Sequence, residues 1–78
     1  MTTTFGILFF EGTEELDAIG PWEVFTMASK ERDDIAVVSI SEHGGTVTCN
    51  KGMRIVMDHS IADAPKLDVL LVPGGMGT

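Results

Sequence analysis

Half of an α/β three-layer sandwich is the fold class this sequence predicts, on three observations. Short apolar runs at Thr4 to Phe10, Ile35 to Ile40 and Leu67 to Val72 are near-continuous rather than alternating, which suits strands buried on both faces, as in a parallel sheet. One segment of helical spacing lies between the first two runs, as a parallel crossover requires. A pair of shorter runs separated by an Asn-Lys-Gly turn adds an antiparallel ribbon. The predicted order is β-α-β-(ββ)-β.

Each element has its own local warrant. Glu11-Gly12-Thr13 ends the first strand. Glu14 to Lys30 carries two acids at its start and a base at its end, complementing a helix macrodipole. Pro21 interrupts it, and proline suits a first turn better than an interior. The expectation is one irregular turn over Glu14 to Gly20, then a regular helix from Pro21. Glu31 to Asp34 is a charged loop before the β-branched strand Ile35 to Ile40. His43-Gly44-Gly45 turns the chain into a strand over Thr46 to Cys49. Asn50-Lys51-Gly52 turns it back into Met53 to Met57, as a bulged hairpin. Ser60-Ile61-Ala62-Asp63 matches a capping box, predicting one helical turn that Pro65 stops. Leu67 to Val72 then runs into Pro73-Gly74-Gly75-Met76-Gly77-Thr78, a glycine-rich turn.

Length and composition bound the function. At 78 residues the chain holds one domain at most, and such domains bury only about 60% of their unfolded surface. Its single Cys cannot form an intramolecular disulfide, and no Cys/His cluster offers a zinc site. Twelve acids against five Lys and Arg, a net charge of −7, argue against a nucleic-acid or anionic-membrane surface. No apolar run approaches the roughly 20 residues of a membrane span. Met-Thr-Thr-Thr-Phe lacks the basic start of a signal peptide, so a cytoplasmic, reduced setting is expected.

In open α/β sheets ligands bind beyond the carboxyl ends of the strands. A dinucleotide site at the first such end needs G-x-G-x-x-G with bare backbone donors. Glu11, Glu14 and Glu15 stand there instead and would repel a pyrophosphate. At the other end, Gly74, Gly75 and Gly77 follow a strand directly, and two readings stay open. The loop is a tight turn, or its backbone N–H groups form an anion nest or part of an oxyanion hole.

Asp17 is the candidate acid–base residue. On a helix it shares a stripe with Gly20, Pro21, Val24 and Ala28, small or apolar residues. Partial burial and the like charges of Glu14 and Glu15 would raise its pKa toward the range of a general acid or base. The alternative is that Asp17 caps a helix starting at Pro21 or meets solvent. Glu14, Glu15 and Glu23 read as a solvated face with favourable dipole charges. Cys49 has neither a helix N-terminus nor a local His to activate it and reads as a buried or edge thiol. His43 and His59 read as surface residues, and Trp22, Phe25 and the methionines as packing.

The run Gly6-Ile7-Leu8-Phe9-Phe10-Glu11-Gly12-Thr13-Glu14-Glu15-Leu16-Asp17-Ala18-Ile19-Gly20-Pro21-Trp22-Glu23-Val24-Phe25 resembles the opening of ThiJ/PfpI-superfamily proteins. Asp68-Val69-Leu70-Leu71-Val72-Pro73-Gly74-Gly75-Met76-Gly77-Thr78 is similar to that superfamily's D-x-L-x-x-P-G-G-x-G strand and loop. The resemblance spans the whole chain, in order. It implies a flavodoxin-like (class I glutamine amidotransferase-like) three-layer sandwich, with this chain as the N-terminal half of that single domain. It also implies a homodimer and a cysteine nucleophile on a strained elbow. The position of the acid that hydrogen-bonds that thiol is Asp17 here, and the oxyanion-hole loop maps to Gly74 and Gly75, the donor amide being that of Gly75.

Asp followed by x-x-G-P is similar to the isonitrile hydratase subgroup and to the sensor halves of certain AraC-type regulators. The first implies a cofactor-independent lyase adding water to an isonitrile, a small-molecule substrate. The second implies a ligand-sensing domain followed by a DNA-binding segment. A glyoxalase- or deglycase-like activity fits less well, since it goes with Glu at position 17. The superfamily's nucleophile lies past the P-G-G loop, beyond Thr78, and Cys49 does not match its position. The expectation is therefore an incomplete domain of about 200 residues when whole, whose first 78 residues are inactive alone.

Overall fold

Residues 2–75 are described by the computed structural model. Strand β1 (Thr3–Leu8) lies between β2 (Ile35–Ser41) and β6 (Val69–Leu71), parallel to both. A two-residue strand, β5 (His59–Ser60), pairs in parallel with the end of β2 and completes the order β5-β2-β1-β6. Helix α1 (Glu15–Glu31) connects β1 to β2. The parallel sheet, the crossover helix and the separate antiparallel pair match the predicted α/β class.

One face of the sheet is packed by the helix. Ile7 and Phe9 from β1 and its extension meet Ala18, with Ile19, Trp22 and Phe25 packed around them. Phe5 and Phe25 stack at a centroid distance of 4.7 Å, adding to the area term of each aromatic side chain. Gly6 is buried in β1 because Leu67 lies over it, so close that a Cβ would stand 2.6 Å from Leu67 Cδ1.

The helix is continuous, which corrects the expected irregular turn before Pro21. Pro21 sits inside α1. It donates no bond to the carbonyl one turn back, yet the helix holds because Gly20 precedes it. Without a Cβ, Gly20 removes much of the clash that keeps a pre-proline residue out of the helical region. Packing of Ala18, Trp22 and Phe25 on both sides of the proline then fixes the axis. Acids at the start and a base at the end are as expected, with Glu14 at the N-cap, Glu15 and also Asp17 in the first turn and Lys30 in the last.

Strands β3 (Thr46–Thr48) and β4 (Arg54–Val56) form the antiparallel ribbon, with Val47 opposite Ile55. Its turn is the expected one. Gly52 N donates to Cys49 O at 3.0 Å and Cys49 N to Met53 O at 2.8 Å, with Gly52 at φ +96°, the glycine geometry of a bulged hairpin. Val47, Cys49 and Met57 carry the ribbon into the same core as Ile7 and Phe9.

Two expectations change. Ser60 and Asp63 do form the reciprocal box, Ser60 N donating to Asp63 Oδ1 at 2.7 Å and Asp63 N to Ser60 Oγ at 3.3 Å. It closes a turn rather than a helical turn, since Pro65 follows within one turn and Ser60 is held in β5. Strand β6 is not buried on both faces: the adjacent Val69 and Leu70 are 42% and 51% exposed. It is an edge strand among the described residues, paired only with β1. Of the glycine-rich turn, Met76, Gly77 and Thr78 lie outside the described residues.

Candidate functional site

The site is built at the carboxyl end of β1. Phe10 to Thr13 form a turn in which Thr13 N donates to Phe10 O at 3.0 Å. Gly12, at φ +91°, supplies the positive φ that the third position of a type II turn requires. Thr13 is wholly buried. Its Oγ1 accepts from Phe10 N at 2.7 Å and donates to Phe10 O at 2.6 Å. The turn is held from the ribbon side as well, with Gly12 N donating to Thr48 O and Asn50 N to Thr13 O.

The other wall is the loop after β6. Glu14 N donates to Gly74 O at 3.0 Å, and Thr13 and Gly75 face each other in an isolated antiparallel bridge. Gly75 lies flush against the turn. A Cβ there would stand 2.5 Å from Gly12 O, 2.8 Å from Glu14 N and 2.9 Å from Thr13 Cα, at a φ of +151°. Only glycine fits.

Asp17 reaches this loop from the first turn of α1. Its Oδ2 lies 3.2 Å from where a Gly74 Cβ would be, so the carboxylate rests over the Gly74 backbone. The fold thus brings together the sequence-predicted residues Asp17, Gly74 and Gly75. Asp17 is exposed, as the solvent-facing alternative has it, and not partly buried as its acid–base reading expected. The stripe it heads is not a buried face: Val24 is 65% exposed, and the buried side of α1 is the one carrying Ala18 and Trp22. Nor does Asp17 cap a helix at Pro21, because α1 begins at Glu15.

The neighbouring acids have structural work that local sequence did not reveal. Glu11 Oε2 accepts from Thr48 N at 3.0 Å, and Glu15 Oε2 from Lys51 N at 2.8 Å and Met53 N at 3.3 Å. Lys51 Nζ lies 2.6 Å from both carboxylate oxygens of Glu14. The ammonium holds the Glu14 carboxyl below its usual range, and the carboxylate raises Lys51 in return. Of the acids expected to be a solvated face, Glu23 is exposed, whereas Glu14 and Glu15 tie the ribbon turn to the start of α1. Their partners lie far along the chain, and the only local signal was a lysine in an otherwise uncharged turn.

Cys49 is 3% exposed. Burial first, then the carboxylates of Glu15, Glu11 and Glu14, push its thiol up, so it stays protonated near neutrality. That is the opposite of what a nucleophile needs. His43 is exposed, and His59 is partly buried beside Asp63 at 3.7 Å.

A cavity of about 360 Å³ opens at the ends of β1 and β2, lined by Leu8, Phe10, Glu11, Glu42, His43 and Ile61 among others. A smaller one of about 160 Å³ lies between Trp22, Ile55 and Asp58. Neither includes Asp17 or Gly74. Among the described residues no group of His, Cys, Asp and Glu is placed to hold a metal ion. No described helix is long and apolar enough to cross a membrane.

Known proteins are similar to this chain over part of their length. The chain is 31% identical to isonitrile hydratase of Pseudomonas putida over 77 residues, covering 99% of this chain and 32% of that enzyme. It is 35% identical over 69 residues to an uncharacterized protein of the cpoL 5′ region of Streptomyces lividans, covering 88% and 49% of the two. The chain thus spans about a third of one of these curated relatives and about half of the other. The crystal structure of Drosophila melanogaster DJ-1beta superposes with a TM-score of 0.83 at 30% identity, over 99% of this chain and 40% of that one. The sequence profile of the DJ-1/PfpI family matches residues 5–78. With this match and the shared fold, the chain belongs to the DJ-1/PfpI family.

Proposed function

We propose that the complete protein is a cofactor-independent hydratase that converts an isonitrile, R–N≡C, and water into an N-substituted formamide, R–NH–CHO. The isonitrile carbon gains a proton and the water oxygen, and the nitrogen gains the second proton. Asp17 is the general acid and base that delivers and collects these protons. A cysteine contributed from beyond residue 78 adds to the carbon and is displaced by water. The Gly75 amide, with Gly74 beside it, stabilises negative charge as it develops. The protein acts as a homodimer in the cytoplasm on a small-molecule substrate. Residues 1–78 alone turn over nothing.

The observation that carries this reading is the place of the Asp17 carboxylate beside the Gly74–Gly75 loop, its Oδ2 3.2 Å from where a Gly74 Cβ would stand, which sets an acid–base group next to the amide proposed as the donor. Similarity to isonitrile hydratase supports the substrate class. The test is steady-state kinetics of the full-length protein with an isonitrile, following formamide. Asp17→Asn is expected to lower kcat by about 10²- to 10⁴-fold, the usual contribution of a positioned acid or base. Unchanged turnover in Asp17→Asn removes its role, and turnover of methylglyoxal but not of isonitriles removes the hydratase reading.

A further inference from the structure

Gly75 is reached through a chain of contacts that begins at Thr13. The wholly buried Thr13 hydroxyl satisfies the N–H of Phe10 and joins Thr13 N–H in donating to its C=O, just past the end of β1, where the strand ladder no longer does so. Closing residues 10–13 in this way presents the next amide, Glu14 N–H, to Gly74 O at 3.0 Å. The Gly74–Gly75 peptide is trans, and in a planar trans peptide the N–H and C=O point in opposite directions. Seating Gly74 O on the turn therefore aims the Gly75 N–H to the other side, away from the turn. The close approach of Gly75 to Gly12 O and Thr13 Cα leaves the peptide little freedom to rotate.

We propose that Thr13 is a positioning residue: its hydroxyl, acting through the 10–13 turn and Glu14 N–H, sets the direction of the Gly75 amide. The proposal rests on the reading of Gly75 as the oxyanion donor for its effect on turnover, but not for its effect on the backbone. A hydroxyl is required and the methyl is not. Serine therefore keeps the device, and valine, of nearly the same shape, breaks it.

The experiment is amide hydrogen exchange and isonitrile kinetics on the full-length protein, as wild type, Thr13→Val and Thr13→Ser. In Thr13→Val the Glu14 amide should exchange about two- to tenfold faster, the factor that goes with one hydrogen bond of ordinary net strength, while the β1–β2 amides keep their protection. Its kcat should fall at least about tenfold with KM nearly unchanged, as for a mis-aimed transition-state donor. Thr13→Ser should match wild type in both. An unchanged Glu14 amide in Thr13→Val overturns the proposal, as does a fast one in folded Thr13→Ser, which decides the matter should the valine variant not fold. If Glu14 exchange responds as expected but the wild-type protein hydrates no isonitrile, the positioning role stands and the hydratase reading falls.

Discussion

Alanine at Gly74 and at Gly75 should have opposite consequences, although the residues are adjacent in one loop. At Gly75 the new methyl would meet Gly12 O at 2.5 Å, Glu14 N at 2.8 Å and Thr13 Cα at 2.9 Å. All three are backbone atoms of a turn pinned from the ribbon side, so none can yield cheaply. The φ of +151° adds backbone strain of about 1–3 kcal/mol, and forcing a methyl into a close-packed contact costs about 1–3 kcal/mol more. Gly75→Ala should therefore lose about 2–6 kcal/mol, a large share of a typical total of about 5–15 kcal/mol. At Gly74 the methyl meets only Asp17 Oδ2, at 3.2 Å, and the backbone there is not in the left-handed region. The far end of an exposed side chain can swing aside, and a less flexible unfolded chain offsets the contact by about 0.4–1 kcal/mol. Gly74→Ala should thus stay within about 1 kcal/mol of wild type in urea denaturation. Moving the Asp17 carboxylate should nonetheless lower kcat for isonitrile hydration by about tenfold or more, as small misplacements of reacting groups do. Equal stability losses in the two variants, or a Gly75→Ala protein within 1 kcal/mol of wild type, would refute the reasoning.

Other consequences follow from individual contacts. Cys49, buried and with its thiol pushed up, should react with iodoacetamide at neutral pH at least about 100-fold more slowly folded than unfolded. Peptide mapping checks this, and equal rates would contradict it. Glu14 has its folded pKa lowered below 4.5, first by its hydrogen bond to Lys51. The stability it contributes is therefore present above about pH 4.5 and lost as pH falls through the folded value. Lys51, raised above 10.5 first by the same bond, contributes below about pH 10.5 and loses that contribution as pH rises through its folded value. Glu14→Gln should flatten the stability profile in both windows, as read by thermal melts across pH. Gly6→Ala drives a methyl to 2.6 Å from Leu67 Cδ1, the end of a flexible side chain. Its cost should be about 0.5–1.5 kcal/mol, that of one strained rotamer, and a larger loss in urea denaturation would show that Leu67 cannot move.

What the sequence revealed depended on the range of the interaction. The strands of the sheet and the ribbon were legible because apolar runs of strand length and the Asn50-Lys51-Gly52 turn are local signals. Strand β5 was not, since two residues carry no period and His59–Ser60 is a strand only through its pairing with Ile40 and Ser41. The unbroken helix was missed because proline's local rule was applied without the relief given by Gly20 and the packing of Ala18 and Trp22. Asp17 and the Gly74–Gly75 loop were singled out by motif, while the buried stripe expected around Asp17 is not there. Their proximity is a property of the fold. Thr13 carried no signal at all: a threonine after a glycine has nothing chemical to announce, and its importance comes from being wholly buried with a hydroxyl that satisfies Phe10.

The acids and the glycines also change their meaning once placed in three dimensions. Glu11, Glu14 and Glu15, read from the sequence as repelling a pyrophosphate, stand at the end of β1 as anchors for the ribbon, Glu11 at Thr48 of β3 and the other two at Lys51 of its turn. Gly75 is glycine because the turn occupies the place of its side chain, so its identity needs no catalytic explanation. Asp17 is different. It is exposed and serves no part of the core, yet its carboxylate lies over the Gly74 backbone. Packing accounts for the glycine, whereas the acid has a favourable place in the first turn of α1 and, in the proposed reaction, a role on the ligand. The discriminating experiment therefore belongs at Asp17 and Gly74, where activity can be lost while the fold is kept.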